Sequence, residues 1–251
     1  MNRLLLVTLI LFSGKLYGQT LITDRPDQTE SSSTVEFGSL QVESGFLLGF
    51  TDEGFNSIRQ ILLPSTLFRY GLTNAIELRI LSQFESLKNN SQIYEGISDL
   101  EIGAKVQLFK KENVNTEIAF LSHLILPTGT NELSGDKFGT INKLAVSHEI
   151  NEQMGFGYNV GYNYLGNGNG DLTYSMAIGI AINDKVGVYL ETYGDIVEFQ
   201  ELLVNFDTGL TYLVKDNLQL DFSFGTGINH TMNYISLGFS WKTLKKESRN
   251  Y

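Results

Sequence analysis

The sequence predicts an all-β protein, an antiparallel transmembrane outer-membrane β-barrel of about twelve strands. Three observations carry this. Segments of about ten residues alternate apolar and polar from Phe37 to Trp241. Every second connection between them is a very short polar turn, and the others are generally longer. The chain also opens like an exported protein. Side chains along a strand point to opposite faces with period two, so each segment has one apolar and one polar face. In a soluble sandwich the apolar face would be the core. In an outer-membrane barrel it meets lipid, and the polar face lines the lumen. The parity of connection lengths favours the barrel, whose periplasmic turns are short and outer loops longer.

Residues 1–18 read as a signal peptide. Arg3 precedes an apolar run from Leu4 to Phe12, and small residues follow up to Gly18, where cleavage is expected. The run is too short to span a bilayer as a helix. The chain has no Cys, which excludes a lipid-anchored N-terminus and disulfides. Mean hydropathy is −0.06, as a barrel requires when a polar lumen face offsets a lipid face. Acidic residues number 28 against 18 basic ones, and the leader removes only basic ones. That balance excludes nucleic acid as a partner, because phosphates demand clustered Lys and Arg.

Residues 19–36 are polar and lack alternation. They read either as a solvated periplasmic arm or as a lumen plug, with Asp24, Arg25 and Asp27 as anchors. An arm placed there reaches Glu43, Glu77 and Arg79, and Arg25 is the expected anchor because a guanidinium grips a carboxylate in two places.

The barrel is expected over residues 37–242, followed by a charged tail, 243–251. The first strand (37–50) turns Leu40, Val42, Phe46, Leu48 and Phe50 outward and Gln41 and Glu43 inward. The second (58–68) ends at a turn over 70–74, with Arg69 inward. The third (75–86) puts Glu77, Arg79 and Gln83 inside, and 88–95 is read as a loop. The fourth (96–109) turns Asp99, Glu101, Lys105 and Gln107 inward. The fifth (114–126) carries Glu117 and His123 inside, before the longest loop, 127–139. The sixth (140–150) holds Lys143 and Glu149 inside.

The seventh strand shows the pattern most clearly. In Met154-Gly-Phe-Gly-Tyr-Asn-Val-Gly-Tyr-Asn-Tyr164 the even positions are all apolar or aromatic, and the odd ones are only Gly and Asn. The eighth turns Tyr174, Met176, Ile178 and Ile180 outward and Ser175, Ala177, Gly179 and Ala181 inward. The ninth (186–194) places Tyr189, Glu191 and Tyr193 inside. The tenth, eleventh and twelfth place Asn205, Asp207, Gln219, Asp221 and Ser223 inside, against Leu210, Phe222, Leu237 and Trp241 outside. Aromatics at the strand ends (Phe50, Phe68, Tyr70, Tyr164, Tyr174, Tyr212, Trp241) suit interfacial girdles.

Thr23-Asp-Arg-Pro-Asp-Gln-Thr-Glu30, followed by Gly38-Ser-Leu-Gln-Val-Glu43 and Gly45-Phe46, resembles the opening of a bacterial outer-membrane family. That family is named for a meta-pathway of phenol degradation and described as transporter-like. Phe68-Arg-Tyr-Gly-Leu-Thr-Asn74, Glu77-Leu-Arg79, Leu126-Pro-Thr-Gly129 and Asn217-Leu-Gln-Leu-Asp221 extend the resemblance over most of the mature chain. It implies an outer-membrane barrel and uptake of aromatic compounds.

The inward charges are the functional candidates: Glu43, Arg69, Glu77, Arg79, Asp99, Glu101, Lys105, Glu117, Lys143, Glu149, Glu191, Asp207 and Asp221. A Lys or Arg on the lipid face at the midplane costs about 2–4 kcal/mol, so their shared parity places them in the lumen. There they either set a cation-leaning field in a conduit or pair across strands and fill the barrel. Arg69, Glu77 and Arg79 flank one turn and read as a structural ion cluster.

Catalytic signals are sparse. There is no GxSxG elbow. Ser147 and His148 are neighbours and so face opposite sides of a strand, which puts His148 at the interface. His123 with Glu117 or Glu149 is the one acid/base pairing the pattern offers. No zinc motif and no cofactor signal is present. Gly166-Asn-Gly-Asn-Gly170 precedes a strand rather than a helix and reads as a turn. The partners expected are outer-membrane lipid, the barrel-assembly machinery and a small-molecule solute. The function classes left open are a passive channel, a closed structural barrel and a lipid-acting enzyme.

Overall fold

The computed structural model describes residues 21–52, 54 and 57–243. The expected leader (1–18) and the tail from 244 lie outside the described residues. One antiparallel sheet closes on itself. Its strands are β1 (Leu40–Asp52), β2 (Ser57–Gly71), β3 (Ile76–Asn89), β4 (Gln92–Ile97), β5 (Leu100–Phe109), β6 (Thr116–Leu126) and β7 (Gly139–Asn151), then β8 (Met154–Tyr164), β9 (Asp171–Ala181), β10 (Val186–Val197), β11 (Glu201–Lys215), β12 (Leu218–Gly227) and β13 (Thr231–Lys242). β4 and β5 both pair with β3, at its two ends, and so form one barrel strand interrupted at Ser98–Asp99. The barrel therefore has twelve strands. It closes where β1 pairs with β13, from Gln41↔Lys242 to Asp52↔Thr231. Closure leaves no open edge, which is what a sheet in lipid requires.

The wall is inverted relative to a soluble protein. Val160 is 58 % exposed and Leu237 53 %, while Glu77 and Asp207 are 0 % exposed. Leu78, Ile80, Ile102, Leu144, Leu190, Leu210, Phe222 and Phe239 are also exposed, and Gln41, Glu43, Arg69, Arg79, Lys105, Glu191 and Asp221 are buried. An apolar surface that encircles the molecule is untenable in water and suits a lipid annulus. Phe50, Phe68, Tyr70, Tyr212 and Trp241 all lie on it. His148 is on the same face, stacked on Phe156 and Tyr158 and bonded to Thr116, as its position beside inward Ser147 demands.

One end of the barrel, the turn end, is closed by short connections over 72–75, 110–115, 152–153, 182–185 and 216–217. The loop end carries the longest connection, 127–138, which includes a 3₁₀ turn at Asn131–Leu133. Residues 88–95, expected as a loop, are instead mostly strand: β3 runs on to Asn89, turns at Asn90 (φ 54°) and returns as β4. Above the apolar band both faces of a strand meet water, so the polar run Lys88-Asn-Asn-Ser hides a hairpin. β1 begins at Leu40 rather than Phe37, which makes a single parallel bridge to Gly71.

Inside, aromatic rings lie across glycines. A Cβ at Gly225 would sit 2.1 Å from the Tyr234 ring, so only glycine lets Tyr234 lie flat in the lumen with its hydroxyl donating to Asp207.

The fold makes a directional test. Val160→Arg puts a cation on the lipid face at a cost of about 2–4 kcal/mol near the midplane, and should abolish the heat-modifiable, membrane-inserted form. Gly179→Lys should insert normally, since a Cβ at Gly179 meets nothing within 4 Å. The reverse ranking on semi-native gels would contradict the register.

Candidate functional site

Residues 21–36 lie within the barrel rather than beside it, and Phe37 and Gly38 beyond them are exposed. The segment bends so that Ser31 N–H donates to Asp24 Oδ1 at 2.9 Å, closing a loop inside the lumen. Around this loop the wall reaches in from nearly every side. Gln28 N–H and the Thr29 hydroxyl donate to Glu191 of β10. Asn159 of β8 accepts Glu30 N–H (2.7 Å) and donates to Glu30 C=O (3.0 Å). Ser32 N–H donates to Ser147 of β7, the Ser33 hydroxyl to Glu117 of β6, and Val35 N–H to Glu77 of β3. Leu21 and Val35 are buried at 5 % and 4 % exposure, so the ends of the segment contribute apolar contact as well.

The densest contacts are ionic. Asp24 Oδ2 lies 2.7 Å from Arg79 Nη1, 2.9 Å from Lys105 Nζ and 3.2 Å from Arg69 Nη1. Arg69 also binds Glu43 (2.7 Å) and Glu77 (2.8 Å), and Arg79 binds Glu77 (2.9 Å) and Glu30 (2.7 Å). The cluster thus joins three cations to four carboxylates, two of which, Asp24 and Glu30, belong to the segment. Register explains the wall half: Arg69↔Arg79 and Glu77↔Lys105 are direct cross-strand pairs on β2, β3 and β5. Removing one partner of such a buried set costs on the order of 3–5 kcal/mol, because a charge is left uncompensated.

Arg25 takes a second anchor. It grips Asp221 with Nη2 (2.8 Å) and Nε (3.3 Å) and donates to the Ser236 hydroxyl at 3.0 Å. Its expected partners Glu43 and Glu77 are engaged by Arg69 instead. The guanidinium lies over Gly45 and Gly238; a Cβ on Gly238 would come within 2.4 Å of it.

The segment's own acids respond oppositely. Burial pushes the Asp24 carboxyl up, but Arg69, Lys105 and Arg79 outweigh it and hold Asp24 well below the usual carboxylate range. Asp27 is raised well above it, first by burial and then by Glu191.

The other sequence candidates fall in several places. Glu191 and Asp207 are cross-strand neighbours beside Asp27. Glu117 binds Ser33, Gln107 and Lys110. Glu101 accepts from His123 Nδ1 at 2.8 Å, while Arg79 Nε–H donates to His123 Nε2 at 2.9 Å. His123 therefore pairs with Glu101, not with Glu117 or Glu149, and both its nitrogens are occupied by wall residues. Lys143 borders a lumen chamber, and Glu149 is exposed at the turn-end rim.

Asp99 corrects the reading of its strand. The interruption between β4 and β5 turns it to the loop-end rim, where its carboxylate accepts N–H groups from Thr128 (3.0 Å), Gly129 (2.9 Å) and Gly135 (2.9 Å). Burial raises its carboxyl, but these bonds and one from Ser134 outweigh that and hold it below the ordinary value. It anchors the long loop and does not line the lumen.

Alternation by itself did not anticipate a group of inward apolar side chains. Leu47, Leu62, Leu67, Leu81, Leu121 and Ile141 line a chamber of about 330 Å³ on the loop-end side of the segment. A second chamber, about 610 Å³, lies on the turn-end side against the small wall residues Gly155, Gly157, Ala177 and Gly179. Asp27 and Glu30 border both, so the segment is the partition between them.

A family model described as "Putative MetA-pathway of phenol degradation" matches residues 23–241. No curated protein sequence matches the chain. Among solved structures, the COG4313 outer membrane channel from Pseudomonas putida F1 is similar over 84 % of this chain and 98 % of its own, with a TM-score of 0.69 at 11 % identity. The KdgM porin in complex with disordered oligogalacturonate is similar over 82 % and 99 %, with a TM-score of 0.56 at 11 % identity. At such identities the likeness establishes the barrel fold.

Two outcomes follow from this geometry. Gly238→Val should evict Arg25 without disturbing the ladder, and the segment should then be cut by protease in a barrel that stays heat-modifiable. The pH dependence has a definite sign. The depressed Asp24 value contributes docking free energy above the ordinary carboxylate range, lost only as pH falls through the lower value. The raised Asp27 value favours docking of its protonated form, weakened as pH rises. Protease protection of the segment should therefore persist from about pH 8 to about pH 5, and its loss at the acid end would contradict the charge assignment.

Proposed function

The chain belongs to that same phenol-degradation family, and on this premise we propose that it is a passive outer-membrane channel for small apolar or aromatic molecules. One observation carries the reading: inward leucines and Ile141 form a continuous apolar part of the loop-end chamber, beside the polar groups Ser65, Gln83, Glu101 and Lys143, whereas the lumen of a water-filled porin is polar. A chamber of about 330 Å³ falls within the roughly 300–1,000 Å³ typical of small-molecule sites. The similar barrels, an outer membrane channel and a porin, support the channel part of this reading.

In this reading the leader directs export with cleavage near Gly18, and the barrel-assembly machinery inserts the chain into the outer membrane of a Gram-negative cell. Residues 21–36 act as a plug with Asp24, Arg25 and Asp27 as anchors. The inward charges Glu43, Arg69, Glu77, Arg79 and Lys105 serve mainly to hold that plug, and no cofactor takes part. His123, with both nitrogens held, contributes positioning rather than acid/base chemistry.

Deleting residues 21–33 should raise single-channel conductance in planar bilayers while insertion is retained. Unchanged conductance in the inserted deletion variant would reject the plug. Failure of cells carrying the full-length protein to take up a monoaromatic hydrocarbon faster than cells lacking it would reject the channel.

A further inference from the structure

The inner wall is divided by charge. The buried cations Arg69, Arg79 and Lys105 all stand on β2, β3 and β5. From β8 through β12 the strands carry no Lys or Arg except Lys215 at the end of β11, yet Glu191, Asp207 and Asp221 are buried there. Arg25 of the segment neutralises Asp221. Among the described residues neither Glu191 nor Asp207 forms an ion pair. The two are direct cross-strand neighbours, and their carboxyl groups lie within hydrogen-bonding reach of each other. Like charges set opposite each other are destabilising, more so when buried. Asp27 of the segment adds a third negative charge beside them.

The oxygens around this pair are unanswered too. Asp207 Oδ2 accepts the Tyr234 hydroxyl, but Oδ1 has no hydrogen-bond partner. The Tyr189 hydroxyl also has none; the residue is 6 % exposed and turned toward Asp207, Asp27 and Glu191. A Cβ at Gly209 would meet the Tyr189 ring at 2.7 Å, so the glycine lets the ring lie along the wall, as Gly225 does for Tyr234. Asn205 Oδ1 and Ser223 Oγ, both buried, lack partners as well. Register gathers them: Tyr189↔Gly209↔Ser223, Glu191↔Asp207↔Gly225 and Tyr193↔Asn205 lie in successive rows on β10, β11 and β12. Of eight buried side-chain atoms without a partner among the described residues, four lie here, so the deficit is local to this patch.

A proton shared between the two carboxyls answers one charge and one oxygen, and leaves the Tyr189, Asn205 and Ser223 oxygens as they are. A cation answers both deficits, because it draws several oxygens to one point. The donors are oxygen alone, a hard set that suits Ca²⁺ rather than Zn²⁺ or Cu²⁺. Mg²⁺ demands a near-ideal octahedron, whereas Ca²⁺ accepts an irregular shell of the kind a strand ladder offers. No three acidic or histidine side chains converge on one point among the described residues. The set is therefore two carboxylates completed by neutral oxygens, and its affinity falls in the weak class, on the order of 10⁻⁴–10⁻³ M.

We infer that Glu191, Asp207 and the Tyr189 hydroxyl form a calcium site on the inner wall, and that the bound ion fastens the N-terminal segment to β10. Glu191 is the link. Its carboxylate accepts Gln28 N–H and the Thr29 hydroxyl, so an ion that fixes Glu191 also fixes the side of the segment that no wall cation reaches. The inference uses the docked position of the segment and is independent of what the lumen carries.

The test uses the whole folded barrel in detergent, free of lipopolysaccharide, with Tb³⁺ as the probe. Tb³⁺ takes Ca²⁺ sites and emits when excited through nearby tyrosines, here Tyr189, Tyr193 and Tyr234. Saturable, tyrosine-sensitised emission that Ca²⁺ displaces is expected. Asp207→Asn should weaken binding by on the order of tenfold or more. Tyr189→Phe should weaken it in the same direction while keeping the ring over Gly209. Asp195→Asn, on the same strand as Glu191 but outside the set, should leave it unchanged. Ca²⁺ should also slow proteolysis of the segment several-fold in the wild type and not in Asp207→Asn. Emission that does not saturate, or an affinity unchanged in both site variants, overturns the site and leaves the two carboxyls sharing a proton. Tb³⁺ binding with segment proteolysis indifferent to Ca²⁺ overturns the fastening. If Asp207→Asn fails to fold, Tyr189→Phe decides alone. Conductance of the segment deletion tests the plug separately, so the two can fail independently.

Discussion

The carboxylate of Asp24, held by Arg69, Arg79 and Lys105, is the interaction on which the interior depends. Lipid outside the wall forces Arg69, Glu77, Arg79 and Lys105 on β2, β3 and β5 inward. The register then sets Arg69 beside Arg79 and Lys105 beside Glu77. Wall carboxylates alone leave this group short: Glu43 and Glu77 face three cations in a buried space. Asp24 and Glu30 bring the missing negative charge from the N-terminal segment. The segment therefore completes the barrel's electrostatics, and the barrel in turn gives sixteen polar-biased residues with little apolar content a reason to be ordered.

The same logic explains the uneven grip. On the β2–β5 side the segment is held by ion pairs, and near β12 and β13 by the bidentate Arg25–Asp221 contact. Along β8 and β9 the wall offers Gly155, Gly157, Ala177 and Gly179, and there the turn-end chamber opens. Hydrogen bonds donated by backbone N–H and hydroxyl groups of the segment to Asn159, Ser147 and Glu191 span that side. The segment is thus held by ion pairs on two sides and by hydrogen bonds, those to the Glu191 carboxylate among them, on the third.

The barrel was legible in the sequence because period-two alternation leaves few exceptions where one face meets lipid. Val160 and Asn159, or Ile178 and Ala177, fall on opposite faces for that reason alone. Asp99 was misplaced because alternation was carried through an interruption: the β4–β5 break at Ser98–Asp99 shifts parity, and those two residues, though turn formers, were read as strand. The hairpin over residues 88–95 was hidden by its polarity. The partners of Arg25 were beyond reach because Asp221 is 196 residues away, and only closure of the barrel brings the last hairpin to the N-terminus. That the segment carries paired charges was visible. That it enters the lumen depends on where the wall leaves charge unbalanced, which a strand-by-strand reading does not sum.

The inward leucines show where pattern reading loses information of a different kind. In β1, β2 and β3 both faces are apolar near Leu47, Leu62 and Leu81, so the alternation there is weak and the residues were assigned no inner role. Weak alternation in a barrel strand is itself a signal. A lipid face must be apolar whatever the function, so an apolar inner face reflects what the lumen holds rather than what surrounds it. The loss of alternation coincides with the β2 bulge, where Leu62 stays inward and Ser65 resumes the inward row three residues later. An extra residue at that point is the one device that changes sequence parity while keeping both faces correctly oriented.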